Sequence, residues 1–194
     1  MNAASPWRGV ELLERAIGYT RGSLTQVTPD RMSAPTPCAG WDLRSLLAHM
    51  EDSLVSLHEA GSVRRVRVDV PAAASTDLVE ALRWRACELL ADWSADWSTT
   101  GTGRGKDVLV DDRPISPSVL TSAGALEIAV HGWDVGVACE AARPLPDGLA
   151  ADLLRVAPVL VRREDRGTRF GPAISPPPGA TPGERLLAFL GRAA

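Results

Sequence analysis

From Pro117 to Ala138 the chain reads PSVLTSAGALEIAVHGWDVGVA, and its only ionisable side chains are Glu127, His131 and Asp134. Ser116 followed by Pro117 is a helix start: a hydroxyl cap, then proline at the first helical position, where its missing N–H costs nothing. One long helix reaching about Cys139 is therefore predicted, and its run of apolar and small residues reads as buried core.

Other segments carry apolar residues at helical spacing. A first helix from about Pro6 to Val27 puts Val10, Leu13, Ile17, Leu24 and Val27 on one face and stops at Thr28-Pro29-Asp30. After the loop SAPTPCAG, Asp42 caps a second helix with the stripe Leu43, Leu46, Leu47, Met50, Leu54 and Leu57, which breaks around Gly61. A third runs from about Asp77 to Trp97, carrying Leu78, Leu82, Leu89, Leu90 and Trp93. Between these, Val66 to Val70 alternates like a short strand, TTGTGRG is a flexible turn, and KDVLVDDRPIS is a small hairpin with Asp111-Asp112 at its tip. A fifth helix begins near Asp147 and is bent by Pro158. The stretch GTRFGPAISPPPGA is a proline-rich strap, and a short last helix opens with a Thr181–Glu184 capping box and ends at Gly191. The expected fold is all-α: an antiparallel four-helix bundle with a small β-hairpin and a short C-terminal helix, as one domain over residues 1–194 with 167–194 forming strap and terminal helix.

A net charge of −3 and a pI near 5.6 supply no basic field for nucleic acid, and the patch Arg64-Arg65-Val66-Arg67 reads as a solvated face. The start MNAASPWRGVELLERA has no export signal, and no segment approaches about 18 consecutive apolar residues, so a cytoplasmic protein without membrane contact is expected. Cys38, Cys87 and Cys139 are widely spaced and odd in number; each is read as a small core or boundary residue. Lys106 is the only lysine, a bias that fits a G+C-rich genome such as an actinobacterium's.

Helical positions four apart lie about 40° apart, so Glu127 and His131 project side by side, with Asp134 within about 20° of Glu127. An ionised carboxylate among apolar neighbours costs several kcal/mol unless it is paired or binds a cation. On spacing alone, an intrahelical Glu–His hydrogen bond is the plainer explanation; a divalent ion is the sharper one, with its third ligand on another helix. His49 is the better third ligand, because it borders the apolar stripe of the second helix and has Asp42 and Asp52 on its side to orient it. His58 lies about 180° round the same helix and is read as a surface residue. No Gly-x-Ser-x-Gly elbow is present, and Gly101, Gly103 and Gly105 lack the strand-to-helix context of a phosphate cradle.

TPCAGWDLRSLLAHM (Thr36 to Met50) and ALEIAVHGWDVGVA (Ala125 to Ala138) resemble the two signature segments of the DinB-like superfamily. More narrowly, they are similar to its branch containing the N-terminal domain of mycothiol-dependent maleylpyruvate isomerase. RFGPAISPPPG and ERLLAFLGR are similar to the ending of a single-domain, metal-binding actinobacterial subgroup, so the resemblance spans nearly the whole chain. It implies a divalent metal held by His49, Glu127 and His131: zinc first, with nickel, iron or manganese as alternatives. Trp41, Trp133 and Asp134 belong to the same signatures, either packing and supporting helix ends or lining a pocket, with Asp134 as an acid/base or a ligand-orienting group. It further implies a low-molecular-weight thiol such as mycothiol, held as metal-bound thiolate for S-transfer or isomerisation of a small electrophile. The family's isomerase has a second domain for which this chain has no room, so S-transfer or a tailoring step in secondary metabolism is expected over maleylpyruvate isomerisation itself. The alternatives are a hydrolase using metal-bound water, and a non-catalytic bundle that binds a small ligand and keeps a degenerate site. A small-molecule substrate and a monomer or homodimer are expected.

Overall fold

The computed structural model describes residues 6–66, 77–100, 107–167 and 170–193. It is mostly helical, with a small sheet, and divides into two compact units, Met1–Ala142 and Arg143–Ala194. The first unit holds α1 (Pro6–Leu24), a 3-10 turn (Pro29–Arg31), α2 (Leu43–Ser62), β1 (Arg65–Val66), α3 (Leu78–Thr100), β2 (Val108–Val110), β3 (Arg113–Ile115) and α4 (Pro117–Ala138). The second holds α5 (Asp147–Leu160), a 3-10 turn (Arg163–Asp165) and α6 (Pro182–Phe189).

In the first unit α1 lies along α4, α2 packs on both α3 and α4, and α3 also meets α1. Burial follows most of the expected stripes: Leu43, Leu46, Leu47, Met50, Leu54 and Leu57 of α2 are all buried, as are Leu78, Leu82, Leu89 and Trp93 of α3, whereas Leu90 is half-buried. Most of α4 is buried around its circumference, in keeping with its lack of a polar face. Its N-cap is Ser116, whose hydroxyl accepts from the Val119 amide, and Asp42 caps α2 by accepting from the amide and hydroxyl of Ser45. Between α2 and α3, the buried Glu51 carboxylate accepts from Arg85 Nε at 3.2 Å.

The α1–α4 seam is close because it is lined by a glycine. A Cβ built on Gly132 would stand 2.2 Å from Thr20 Oγ1 and 3.1 Å from Thr20 Cα. At this approach Thr20 Oγ1 donates to the Ile128 carbonyl at 2.7 Å, a buried cross-helix bond one residue from Glu127.

Asp111 and Asp112 both adopt positive φ, +45° and +64°, which makes the β2–β3 connection a two-residue hairpin turn of the hand that matches strand twist. The parallel pairing of β1 with β2, Arg65 opposite Leu109, is an addition to the expected hairpin. Of the expected strand Val66–Val70, only Val66 lies within the described residues, and TTGTGRG falls largely outside them. Two helix ends differ from expectation. α1 stops at Leu24, three residues before Val27, where Thr25 Oγ1 donates to the Gly22 carbonyl and the Gln26 amide to that of Ser23, closing a tighter turn. α2 runs through Gly61 to Ser62, because that glycine is a packing residue: its missing Cβ would meet the Trp93 indole at 3.1 Å, whose Nε1 donates to the Leu57 carbonyl. The turn comes at Arg64, with φ of +59°.

In the second unit α5 packs on α6. The Thr181–Glu184 capping box forms in both directions, and Gly191 exits α6 at φ of +80° in close contact with Gly171. Pro158 stands in the last turn of α5, which ends two residues later.

Replacing Gly132 by alanine must push α1 off α4 or displace the Thr20 side chain. A loss of about 1–3 kcal/mol is expected, read as a lowered urea midpoint with an unchanged slope.

Candidate metal centre

α2 delivers His49 and α4 delivers Glu127 and His131 to one point. Glu127 Oε1 lies 2.6 Å from His49 Nε2 and 3.1 Å from His131 Nε2, and the two imidazoles meet edge-on with ring centres 5.2 Å apart. One ligand atom from each of the three residues falls within 4.8 Å of the others. Asp134, 0% exposed, accepts the His131 Nδ1 proton on Oδ2 at 2.8 Å. Bonding at Nδ1 turns Nε2 toward Glu127 and His49.

The donor set fits a divalent cation. A tetrahedral ion with bonds of about 2.0–2.1 Å needs donor atoms about 3.3 Å apart; the spacings of 2.6 and 3.1 Å to Glu127 Oε1 lie somewhat below that value, and all three donor atoms fall within 4.8 Å, so small side-chain shifts would seat an ion. Two imidazoles and a carboxylate are three protein ligands, the number that leaves a position open for a small molecule. Access comes from one side: His131 is 8% exposed, whereas the side chains of His49 and Glu127 are 37% and 30% exposed.

Electrostatics ties the cluster together. Burial alone would raise the Glu127 carboxyl, but the charge of His131 and the hydrogen bonds from His131 and His49 hold it well below the usual carboxylate range. Burial would likewise lower His131, yet the neighbouring Glu127 charge and the hydrogen bonds to Asp134, Cys38 and Glu127 raise it well above the ordinary imidazole value.

The loop before α2 forms one wall. Pro35 bridges to Asp42, the Thr36 amide donates to the Trp41 carbonyl at 3.1 Å, the Trp41 amide to the Cys38 carbonyl at 3.0 Å, and Gly40 turns the chain at φ of +80°. This self-bonded loop sets the Trp41 ring edge-on to His49 with centres 4.9 Å apart, and Cys38 Sγ 3.4 Å from Asp134 Oδ2 and 3.8 Å from His131 Nδ1. An apolar cleft abuts Glu127, lined among others by Ile17, Leu24, Met50, Leu54 and Leu82. Its empty volume is about 390 Å³, open solvent at the mouth included.

Glu127 and His131 thus meet side by side as their helical spacing suggested, His49 of α2 joins them, and Trp41 and Asp134 adjoin them. Trp133 is buried, in keeping with its packing reading. His58 is half-exposed and pairs with Asp92 of α3 at 2.8 Å, away from the cluster. Asp42, considered as an orienting group for His49, is occupied as the α2 cap. Cys38 was missed as a site residue: its thiol reaches α4 only through the fold of a proline-rich loop. None of the three cysteines forms a disulfide.

A family model for the mycothiol maleylpyruvate isomerase N-terminal domain matches residues 13–136. Two uncharacterized proteins of Mycobacterium tuberculosis, from two strains, are each 25% identical to this chain over 181 residues, covering 92% of it and 94% of the relative. The crystal structure of the mycothiol-dependent maleylpyruvate isomerase superposes with a TM-score of 0.52 at 18% identity, over 77% of this chain. The two share a fold, and this chain spans 66% of that protein's length, just under two thirds.

The shifted groups give the chelator-treated protein a defined pH response. Glu127, lowered in the fold, contributes stability that is present above about pH 4.3 and lost only as acid protonates it further down; His131, raised in the fold, contributes stability fully present below about pH 6.5 and lost as the pH climbs toward its folded value. Urea midpoints are therefore expected to fall from about pH 6.5 to 9, and His131→Gln is expected to flatten that limb.

Proposed function

The chain belongs to the family of the mycothiol maleylpyruvate isomerase N-terminal domain, and from that premise we propose that it is a divalent-metal-dependent enzyme that uses a low-molecular-weight thiol, mycothiol-like, on a small electrophile. The observation that carries this reading is the convergence of His49, Glu127 and His131 within 4.8 Å at a partly exposed point. Zinc suits the two-imidazole, one-carboxylate set, and nickel, iron and manganese are also accepted by such ligands.

A cation held there supplies a Lewis acid that lowers the pKa of a coordinated thiol and keeps it as a nucleophile at neutral pH. The chain's own residues do the remaining work. His131 is oriented by Asp134, so that its Nε2 lone pair faces the site. Glu127 brings a negative charge that offsets the dication. Trp41 screens the His49 edge from bulk water. The apolar cleft beside Glu127 has room for a small apolar substituent of the electrophile. The reading takes the packed helices α1 to α4 as an antiparallel four-helix bundle of the DinB type and residues 1–194 as one domain. No helix among the described residues is long and apolar enough to cross a membrane, and the proposal places the enzyme in the cytoplasm, as a monomer or homodimer acting on a small molecule. S-transfer to a small electrophile, or isomerisation of one, is the class of step proposed.

Elemental analysis of purified protein is expected to find one divalent ion per chain, absent from His49→Ala and His131→Ala. In the cobalt-substituted protein, added thiol is expected to produce a sulfur-to-cobalt charge-transfer band, and turnover of an activated alkene should require that thiol. An ion present with thiol-independent hydrolysis would replace this reading with water chemistry; no bound ion would end it.

A further inference from the structure

We propose that Cys38 is a positioning residue that fixes the His131 imidazole through Asp134. The proposal deepens, and rests on, the reading of His131 as a metal ligand. Three observations carry it. Asp134 is wholly buried, and its Oδ2 takes two donors, His131 Nδ1–H at 2.8 Å and Cys38 Sγ–H at 3.4 Å. The thiol also lies 3.8 Å from His131 Nδ1, beside the nitrogen turned away from Glu127. Cys38 is itself held: its amide donates to Thr36 Oγ1 at 3.2 Å and its carbonyl accepts from the Trp41 amide at 3.0 Å.

These contacts make a chain of fixed parts from loop to ligand. The loop bonds set the thiol, the thiol and the imidazole share one carboxylate oxygen, and that oxygen sets the plane of the ring whose other nitrogen faces Glu127 and His49. Removing the thiol takes a donor from a buried carboxylate oxygen and opens space beside the ring, so the imidazole gains freedom to rotate away from the position a cation requires. Cys38, His131 and Asp134 also form a second ligand-bearing trio. His131 Nδ1 offers one lone pair or one proton, however, and its 2.8 Å approach to Asp134 is that of a donated hydrogen bond. The trio is therefore a brace for the first cluster and not a second cation site.

The test uses the full chain with zinc or cobalt titrated against a competing chelator. Cys38→Ala is expected to weaken ion binding about tenfold, the low end for outer partners of a ligand because S–H is a weak donor. Cys38→Ser, which keeps a donor at that place, is expected to recover most of the loss, and Asp134→Ala is expected to lose up to about a hundredfold. NMR of the ion-free protein gives a second readout: the His131 Nδ1 proton should exchange with water faster in Cys38→Ala than in the wild type or Cys38→Ser. Unchanged ion affinity and proton exchange in a folded Cys38→Ala protein would overturn the proposal. So would a sulfur-to-cobalt band without added thiol that is lost in Cys38→Ala, since that makes Cys38 a ligand. If the wild type binds no ion, the metal reading fails, and the exchange rate alone still decides whether Cys38 holds the ring.

Discussion

One carboxylate oxygen, Glu127 Oε1, stands between two imidazoles carried by different helices. Among apolar neighbours, an ionised carboxylate persists only if its partners offset the lost hydration, and the imidazoles of His49 and His131 are those partners. The rest of the first unit keeps their meeting point in register. The Thr20 hydroxyl bonds the carbonyl next to Glu127, and Gly132, next to His131, lets α1 come close enough for that bond to form. The Glu51–Arg85 pair ties α2, which carries His49, to α3. A glycine-lined seam and a buried ion pair thus hold the helices that carry the three donor side chains.

Much of this was legible because it depends on local rules. Asp42, Ser116 and Thr181 act as the caps their side chains suit, and Asp111-Asp112 turns the hairpin. The pairing of Glu127 with His131 follows from helical spacing alone. His49 was reachable because it borders an apolar stripe and has Asp42 and Asp52 on its side of the helix, and family resemblance then pointed to the same residue.

What escaped notice depends on chain segments far apart in sequence. Cys38 sits in a loop whose shape comes from a bridge between Pro35 and Asp42 and from hydrogen bonds of Thr36, none of which has a periodic signature. Its approach to Asp134 joins positions 96 residues apart. The same reason hid the parallel pairing of β1 with β2, since a two-residue strand has no pattern to read. Gly61 looked like a helix breaker because a glycine's packing role shows only once its neighbour, here the Trp93 indole, is in place. α1 ended early because side-chain and backbone bonds from Thr25 and Gln26 outcompeted the last helical turn, although Val27 kept the apolar rhythm.

The side of the cluster that solvent reaches is lopsided. An indole, 37% exposed, borders it at His49, and a carboxylate borders it at Glu127. A flat molecule settling there meets an aromatic surface on one hand and a negative charge on the other, so its two faces are no longer equivalent.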